Sequence, residues 1–299
     1  MNYAGKEIEA NRIAQEIDTF AFASNLFVSN ITALEKQVLA RQIVDSINRV
    51  KYFEIVGSRD ISPNRADPSH DLFDPIRAVF FHKHSNNLEE ALWLSFLIVH
   101  FGENYQSGWK LTRNFYNNFG QEPKLTWDNV NSDPNLVDDW VDEYNQRKQN
   151  LNIKLKFGNH RKFQSIKHLR QVIDSYLDFT NSKGGQIQAF SISEGNSRQR
   201  FARLFKDINF YGFARLGKFD FLSILYKFDL VEIEADCCYI KGSTGPKDGA
   251  EYLFGNLNSS ELDNRAQKLA DYLGIGYQEM EDALCNWHKS TDKYMFYRG

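Results

Sequence analysis

Apolar residues recur at steps of three and four along most of the chain, the spacing that keeps one face of an α-helix against a core. From Ile8 to Phe53 the series runs Ile8, Ile13, Ile17 and Phe20, then Leu34, Val38, Leu39, Ile43, Ile47 and Val50. The run Ser29-Asn30-Ile31-Thr32 separates two predicted helices with cap residues, and Thr32 followed by Glu35 has the spacing of a capping box. Asp60 to Pro75 holds three of the six prolines together with Asn64, Asp67, Ser69 and Asp71, and reads as a loop. A helix is predicted from Asn87 toward His100, where Gly102 can stop it. Further helices are predicted over Trp109 to Asn118, Pro134 to Gln146, Ser165 to Asn181, Ser197 to Phe205, Lys218 to Lys227, Gly249 to Phe254 and Ser260 to Tyr272. Only Leu230 to Glu234 alternates, over too few residues to build a sheet. The expected fold is all-α, a single catalytic unit of two helical lobes with a cleft between them, spanning 1–299.

Composition adds limits. The 299 residues are 42% hydrophobic, 25% charged and 14% aromatic, ordinary for a globular chain. A formal net charge of -3 excludes a histone-like or ribosomal type of basic protein, but leaves room for a local basic surface. Three cysteines, Cys237, Cys238 and Cys285, show no CxxC spacing and suit a reduced compartment. The charged start and the short apolar run Ala91 to Val99 predict a soluble cytoplasmic protein with no membrane partner.

The order of the charges changes that picture. From Arg147 to Arg170 there are eight Lys or Arg and no Asp or Glu; from Arg198 to Lys218 there are six against a single Asp207. Either stretch alone reads equally well as a solvated helix face. Two so close in sequence suggest a track for a polyanion.

Three motifs could carry chemistry. In Phe157-Gly158-Asn159-His160-Arg161-Lys162-Phe163, four hydrogen-bonding side chains stand between aromatics; Asn159 and His160 suit a base edge, Arg161 and Lys162 phosphates. A basic loop with one capping Asn is the plainer alternative. Between about 198 and 228, a helix, the glycine-bearing turn Phe210-Tyr211-Gly212-Phe213-Ala214-Arg215-Leu216-Gly217-Lys218, and a second helix have the layout of a helix-hairpin-helix, or of an ordinary αα-corner. In a glycosylase of that layout an acid follows the hairpin: Asp236 lies 24 residues after Gly212, and Asp220 stands on the second helix. A carboxylate there can stabilise the oxocarbenium-like state formed when an N-glycosidic bond breaks. Third, Lys241-Gly242-Ser243-Thr244-Gly245-Pro246-Lys247 offers an oxyanion cradle or simply a turn before a helix; it is not a P-loop. The histidines lack metal-ligand spacing, and no metal or cofactor is expected.

Taken in order, Glu90-Ala91-Leu92-Trp93-Leu94, His100-Phe101-Gly102, Gly108-Trp109, Phe157 to Lys162, Tyr211-Gly212-Phe213, Phe219-Asp220-Phe221-Leu222 and Thr244-Gly245-Pro246 resemble the alpha-glutamyl/putrescinyl thymine pyrophosphorylase family, clade three, over roughly Lys51 to Gly255. That family is similar to helix-hairpin-helix DNA glycosylases, and a relative is understood as a bacterial defence enzyme that excises glucosylated hydroxymethylcytosine from phage DNA and leaves abasic sites. The hairpin here lacks the proline and close glycine pair of typical glycosylases, so the catalytic carboxylate stays open between Asp220 and Asp236.

The resemblance implies a monofunctional DNA glycosylase acting on double-stranded phage DNA with a modified pyrimidine, alpha-glucosylated 5-hydroxymethylcytosine in that relative. No obligate protein partner is indicated. The target nucleotide would be extruded from the stack. Asn159, His160, Arg161 and Lys162, with Trp109, Tyr211 and Glu90, would meet the base or its adduct. Lys206, Gly212, Arg215, Gly217 and Lys218, with Lys241, Thr244 and Lys247, would hold the DNA backbone. The alternatives are a pyrophosphorylase or transferase acting on an activated thymine derivative, and a non-catalytic reader of modified DNA.

Overall fold

A computed structural model describes residues 3–24 and 31–297. Among these the fold is all-α, as the periodicity predicts, with no strand and a single isolated bridge between Asn104 and Gly108. The helices are α1 (Tyr3–Ser24), α2 (Ala33–Gly57), α3 (Pro63–Ala66), α4 (Pro75–His84), α5 (Leu88–Phe101), α6 (Lys110–Tyr116), α7 (Trp127–Ser132), α8 (Leu136–Leu151), α9 (Leu169–Ser182), α10 (Gln186–Phe190), α11 (Ser197–Asp207), α12 (Arg215–Lys227), α13 (Gly245–Phe254), α14 (Ser259–Leu273) and α15 (Tyr277–Trp287).

The chain divides into two compact units, each described by itself. One takes in Met1–Glu54, Ser197–Ala202 and Glu234–Gly299; the other Ile55–Asn196 and Arg203–Ile233. In the first, the capping box predicted at the start of α2 is formed: the Glu35 amide donates to Thr32 Oγ1 at 3.2 Å and the Thr32 amide to Glu35 Oε2 at 2.7 Å. Ser29 and Asn30, read with it as cap residues, lie outside the described residues. Helices α13 and α15 pack so closely that a Cβ at Gly249 would lie 2.4 Å from the Leu284 carbonyl oxygen. Only glycine permits that approach.

The second unit is built around α5. Every residue from Glu90 to Phe101 is buried, which is what an all-round apolar helix requires. Asn87 caps its start by accepting from the Glu90 amide, and Gly102 at φ +67° ends it. Aromatic rings fill the space around it: Phe96 stacks on Tyr176 at 4.1 Å and on Phe213 at 5.6 Å, and Phe210 and Phe221 meet it edge-on.

Several boundaries differ from the sequence expectation. Pro75 is the first residue of α4 rather than the end of a loop, because the Asp74 side chain accepts from the Arg77 amide and caps the helix. Likewise α13 begins at Gly245, with Pro246 in its first turn, and α12 begins at Arg215. Helices α3, α4, α7, α10 and α15 lie outside the sequence expectation; α3, α7 and α10 are only four, six and five residues long, too short to show a period. Residues 230–234 form no strand: the Ile233 amide donates to Val231 O in a local turn.

Candidate functional site

The loop 157–163 is pinned to the end of α5. The Gly158 amide donates to Phe101 O at 2.7 Å, and a Cβ on Gly158 would lie 2.7 Å from the Gly102 carbonyl carbon. Glycine at both positions lets the two backbones touch, and the short turn 159–161 then directs the side chains apart. His160 and Lys162 are exposed, and Asn159 is half-buried. Arg161 turns inward. Its side chain is 4% exposed, its Nε donates to Val99 O at 2.7 Å, and Nη2 donates to Asp220 Oδ2 at 2.6 Å. Of the four residues 159–162 expected at a base or phosphate, Arg161 is thus the one committed inside the protein.

Asp220 sits on α12 with its carboxyl one-third exposed. Beside this pair, His100 is wholly buried with neither ring nitrogen hydrogen-bonded among the described residues. Burial, reinforced by the Arg161 charge, lowers its pKa to about 3, so the ring is neutral, sandwiched among Phe96, Phe101 and Phe213. Glu90, expected near the base, lies instead in the core. Its carboxyl accepts from the Trp127 amide at 3.0 Å at the start of α7, and burial pushes its pKa up to about 7.

The turn after α11 is tight. The Phe213 amide donates to Phe210 O at 3.0 Å, with Gly212 at φ +73° in the position that favours glycine. The Gly212 carbonyl accepts from Gln164 Nε2 at 3.0 Å and the Tyr211 amide donates to Ser175 Oγ at 2.8 Å. Tyr211 is 47% exposed. Gly217 lies inside α12 rather than in the turn, where its missing Cβ makes room for the Phe213 ring. No side chain caps α12, so the first amides of a helix carrying Arg215 and Lys218 are left without intrahelical partners. Lys218 reaches back toward Phe205 O at 3.4 Å, whereas Lys206 is exposed and makes no ion pair among the described residues.

The acid-free stretch divides in the same way. Arg147, Arg161 and Arg170 are paired with carboxylates, while Lys148, Lys154, Lys162 and Lys167 are exposed and unpaired among the described residues. Trp109, next to exposed Lys110, lines an open hollow of about 520 Å³ with Phe73 and Phe119.

In the other unit, the segment 236–240 gathers a second group. Asp236 Oδ1 accepts from the Tyr239 hydroxyl at 2.8 Å, and no cation pairs with it among the described residues. Tyr239 adopts φ +49°, a conformation a tyrosine rarely takes, and its amide donates toward Cys237 Sγ at 3.4 Å. Asp263 on α14 accepts from the Cys238 amide at 2.9 Å, and burial raises its pKa. Burial also raises the Cys237 thiol well above its usual range, which disfavours the thiolate. Farther on, Lys241 is exposed beside Gly242 at φ +79°, and Thr244 is exposed at the start of α13 without a side-chain cap. Lys247 pairs with Glu251 at 3.2 Å along the helix.

Sequence reasoning missed Tyr239 and Asp263. Asp236 and Tyr239 are three residues apart, a visible spacing, but Asp263 joins them only through the docking of α14. Among the described residues no group of three His, Cys, Asp or Glu side chains could hold a metal ion, and no helix is long and apolar enough to cross a membrane. No curated protein and no solved structure matches the chain. A family model described as alpha-glutamyl/putrescinyl thymine pyrophosphorylase clade 3 matches residues 34–299, which take in every candidate residue above. The chain belongs to this enzyme-related family of DNA base hypermodification.

Proposed function

We propose that the protein is a monofunctional DNA glycosylase that excises a hypermodified pyrimidine from phage DNA and leaves an abasic site as an anti-phage defence. Alpha-glucosylated 5-hydroxymethylcytosine is the substrate to try first. The observation that carries this reading is a carboxylate with no cation beside it: among the described residues, Asp236 is held by the Tyr239 hydroxyl alone. Such a group can face a developing cation. Asp220 is already paired with the buried Arg161. On this reading the bond from C1′ to the base nitrogen breaks, and its electron pair leaves with the base. Asp236 stabilises the C1′ cation and takes a proton from the water that adds to C1′. The exposed Lys162, Lys167 and Lys206 fit phosphates. Within its own unit, Arg161 holds the loop 157–163 from inside and leaves the His160 ring in solvent.

Incubation with glucosylated and unmodified phage DNA, followed by alkali, tests the reading. Strand breaks and free modified base from the glucosylated DNA alone are expected; neither product from either DNA sinks it. The family's name favours a second reading, pyrophosphorylase chemistry on an activated thymine, with Lys241 and Thr244 holding the diphosphate. Release of pyrophosphate with the base still in the strand would select it.

A further inference from the structure

One groove of the larger unit has no role in the chemistry above. It is open, with a volume of about 810 Å³, and lies between the polar face of α9 and the turn 209–214. Phe163 and Tyr211 line it, 66% and 47% exposed, and the buried rings of Phe210 and Phe213 also contribute to its lining. Solvent-facing aromatics of this kind, fixed by a turn tied to Ser175 and Gln164, make a stacking site for a flat ring.

The polar groups narrow the ring's identity. Asp174 is occupied by Arg170 at 2.7 Å, so the free carboxylate of the groove is Asp178, one helical turn further along the same face of α9. Asp178 makes no hydrogen bond or ion pair among the described residues, and Asn209 lines the same groove, exposed and unpartnered. A carboxylate only accepts, and its two oxygens match two parallel N–H donors. Among the DNA bases only guanine offers that pair on its Watson–Crick edge, N1–H and N2–H, with O6 beside them for an amide donor such as Asn209. Thymine sets carbonyl oxygens on both sides of its one N–H; cytosine and adenine set a ring acceptor beside their amine. Outside the groove, unpaired Lys162 adjoins Phe163, and unpaired Lys167 lies four residues further on, which suits the flanking phosphates of a strand.

We infer that this groove takes one unpaired guanine of a DNA strand, stacked on Phe163 and Tyr211 and read by Asp178 and Asn209. It deepens the proposed function, on which it rests for DNA as the ligand: removal of a modified cytosine strands the guanine opposite. The groove then holds the orphaned base while chemistry proceeds on its partner.

The test measures fluorescence anisotropy with DNA hairpins carrying one bulged guanine, one bulged thymine, or no bulge, at a fixed salt concentration. The full-length protein is expected to prefer the guanine bulge over the thymine bulge by about tenfold, the scale of one bidentate contact. Asp178→Asn should bring the two bulges to parity while leaving the unbulged hairpin unchanged. Phe163→Ala should weaken both bulged hairpins by about tenfold, the scale of one stacked base. All three substituted side chains, including Tyr211→Ala as a second stacking variant, are exposed, and unchanged melting temperatures would confirm folding. Equal affinity for all three hairpins overturns the inference while leaving the glycosylase reading intact, as does a guanine preference that survives Asp178→Asn. No binding to any DNA overturns both.

Discussion

Two aspartates stand in opposite electrostatic settings, and the proposed chemistry rests on that contrast. Asp220 belongs to the ring-packed unit, where Arg161 lies under it, bonded also to the Val99 carbonyl and facing the Phe213 ring at 6.0 Å. That pair ties the loop 157–163 to α5 and α12. Its removal from water is compensated inside the protein, so it acts as a clamp. Asp236 belongs to the other unit, where its partner is a neutral hydroxyl on a backbone held at positive φ. Local strain of this kind persists where surrounding structure over-determines it, and functional loops are where it concentrates. Equal side chains thus differ in what surrounds them: one fastens a loop, the other has no cationic partner among the described residues.

Substitutions can break this contrast. The largest effect is expected on activity from Asp236→Asn, a fall of about 10² to 10⁴ in base release with little change in melting temperature; retained activity would remove Asp236 from the chemistry. Asp220→Asn should do the reverse in stability, costing about 2–3 kcal/mol in a urea titration, because Arg161 is left buried and uncompensated while the carboxyl itself was partly hydrated. If Asp220→Asn instead leaves stability intact and abolishes base release, the two roles are exchanged. The double variant Arg161→Met/Asp220→Leu should recover part of the lost stability, which a double-mutant cycle measures.

Glu90 sharpens the comparison with a third carboxyl, one buried without a cation. Its folded pKa of about 7 is above that of an unfolded Glu, so the stability it contributes is fully present below pH 4.5 and is lost as pH rises through 7. Glu90→Gln keeps an acceptor for the Trp127 amide and removes the titration. It should therefore exceed the parent in stability above pH 7, by on the order of 2–3 kcal/mol, and match it near pH 4.5. Melting temperatures across that range decide. The smallest effect is expected for Tyr239→Phe, about a tenfold loss of base release and about 1 kcal/mol of stability, since the partly buried hydrogen bond to Asp236 is removed. A larger loss of stability would mean that Tyr239 holds the loop rather than Asp236.

The helices and their class were legible along the chain because burial repeats every turn: α5, α9 and α14 show that period directly, and Thr32 with Glu35 announced a cap that is formed. Asp74-Pro75 was misread because a capping residue followed by proline looks the same in a loop as at a helix start until the Arg77 amide is seen to need an acceptor. The clustering of basic residues was legible too, yet not which of them are neutralised. Arg161 and Lys162 are neighbours in sequence with opposite fates, one ion-paired inside, the other in solvent.

By itself, then, the sequence determined the all-helical class, the positions of most helices, the basic stretches and the family, since each rests on residues close together or on an ordered set of short motifs. The tertiary structure alone decided that Arg161 and Asp220, 59 residues apart, neutralise each other, that Glu90 is a core residue, and that Asp178, Phe163 and Tyr211 share one groove. Charge pairing, burial and shared walls are properties of chain segments brought together by packing. No local pattern encodes them.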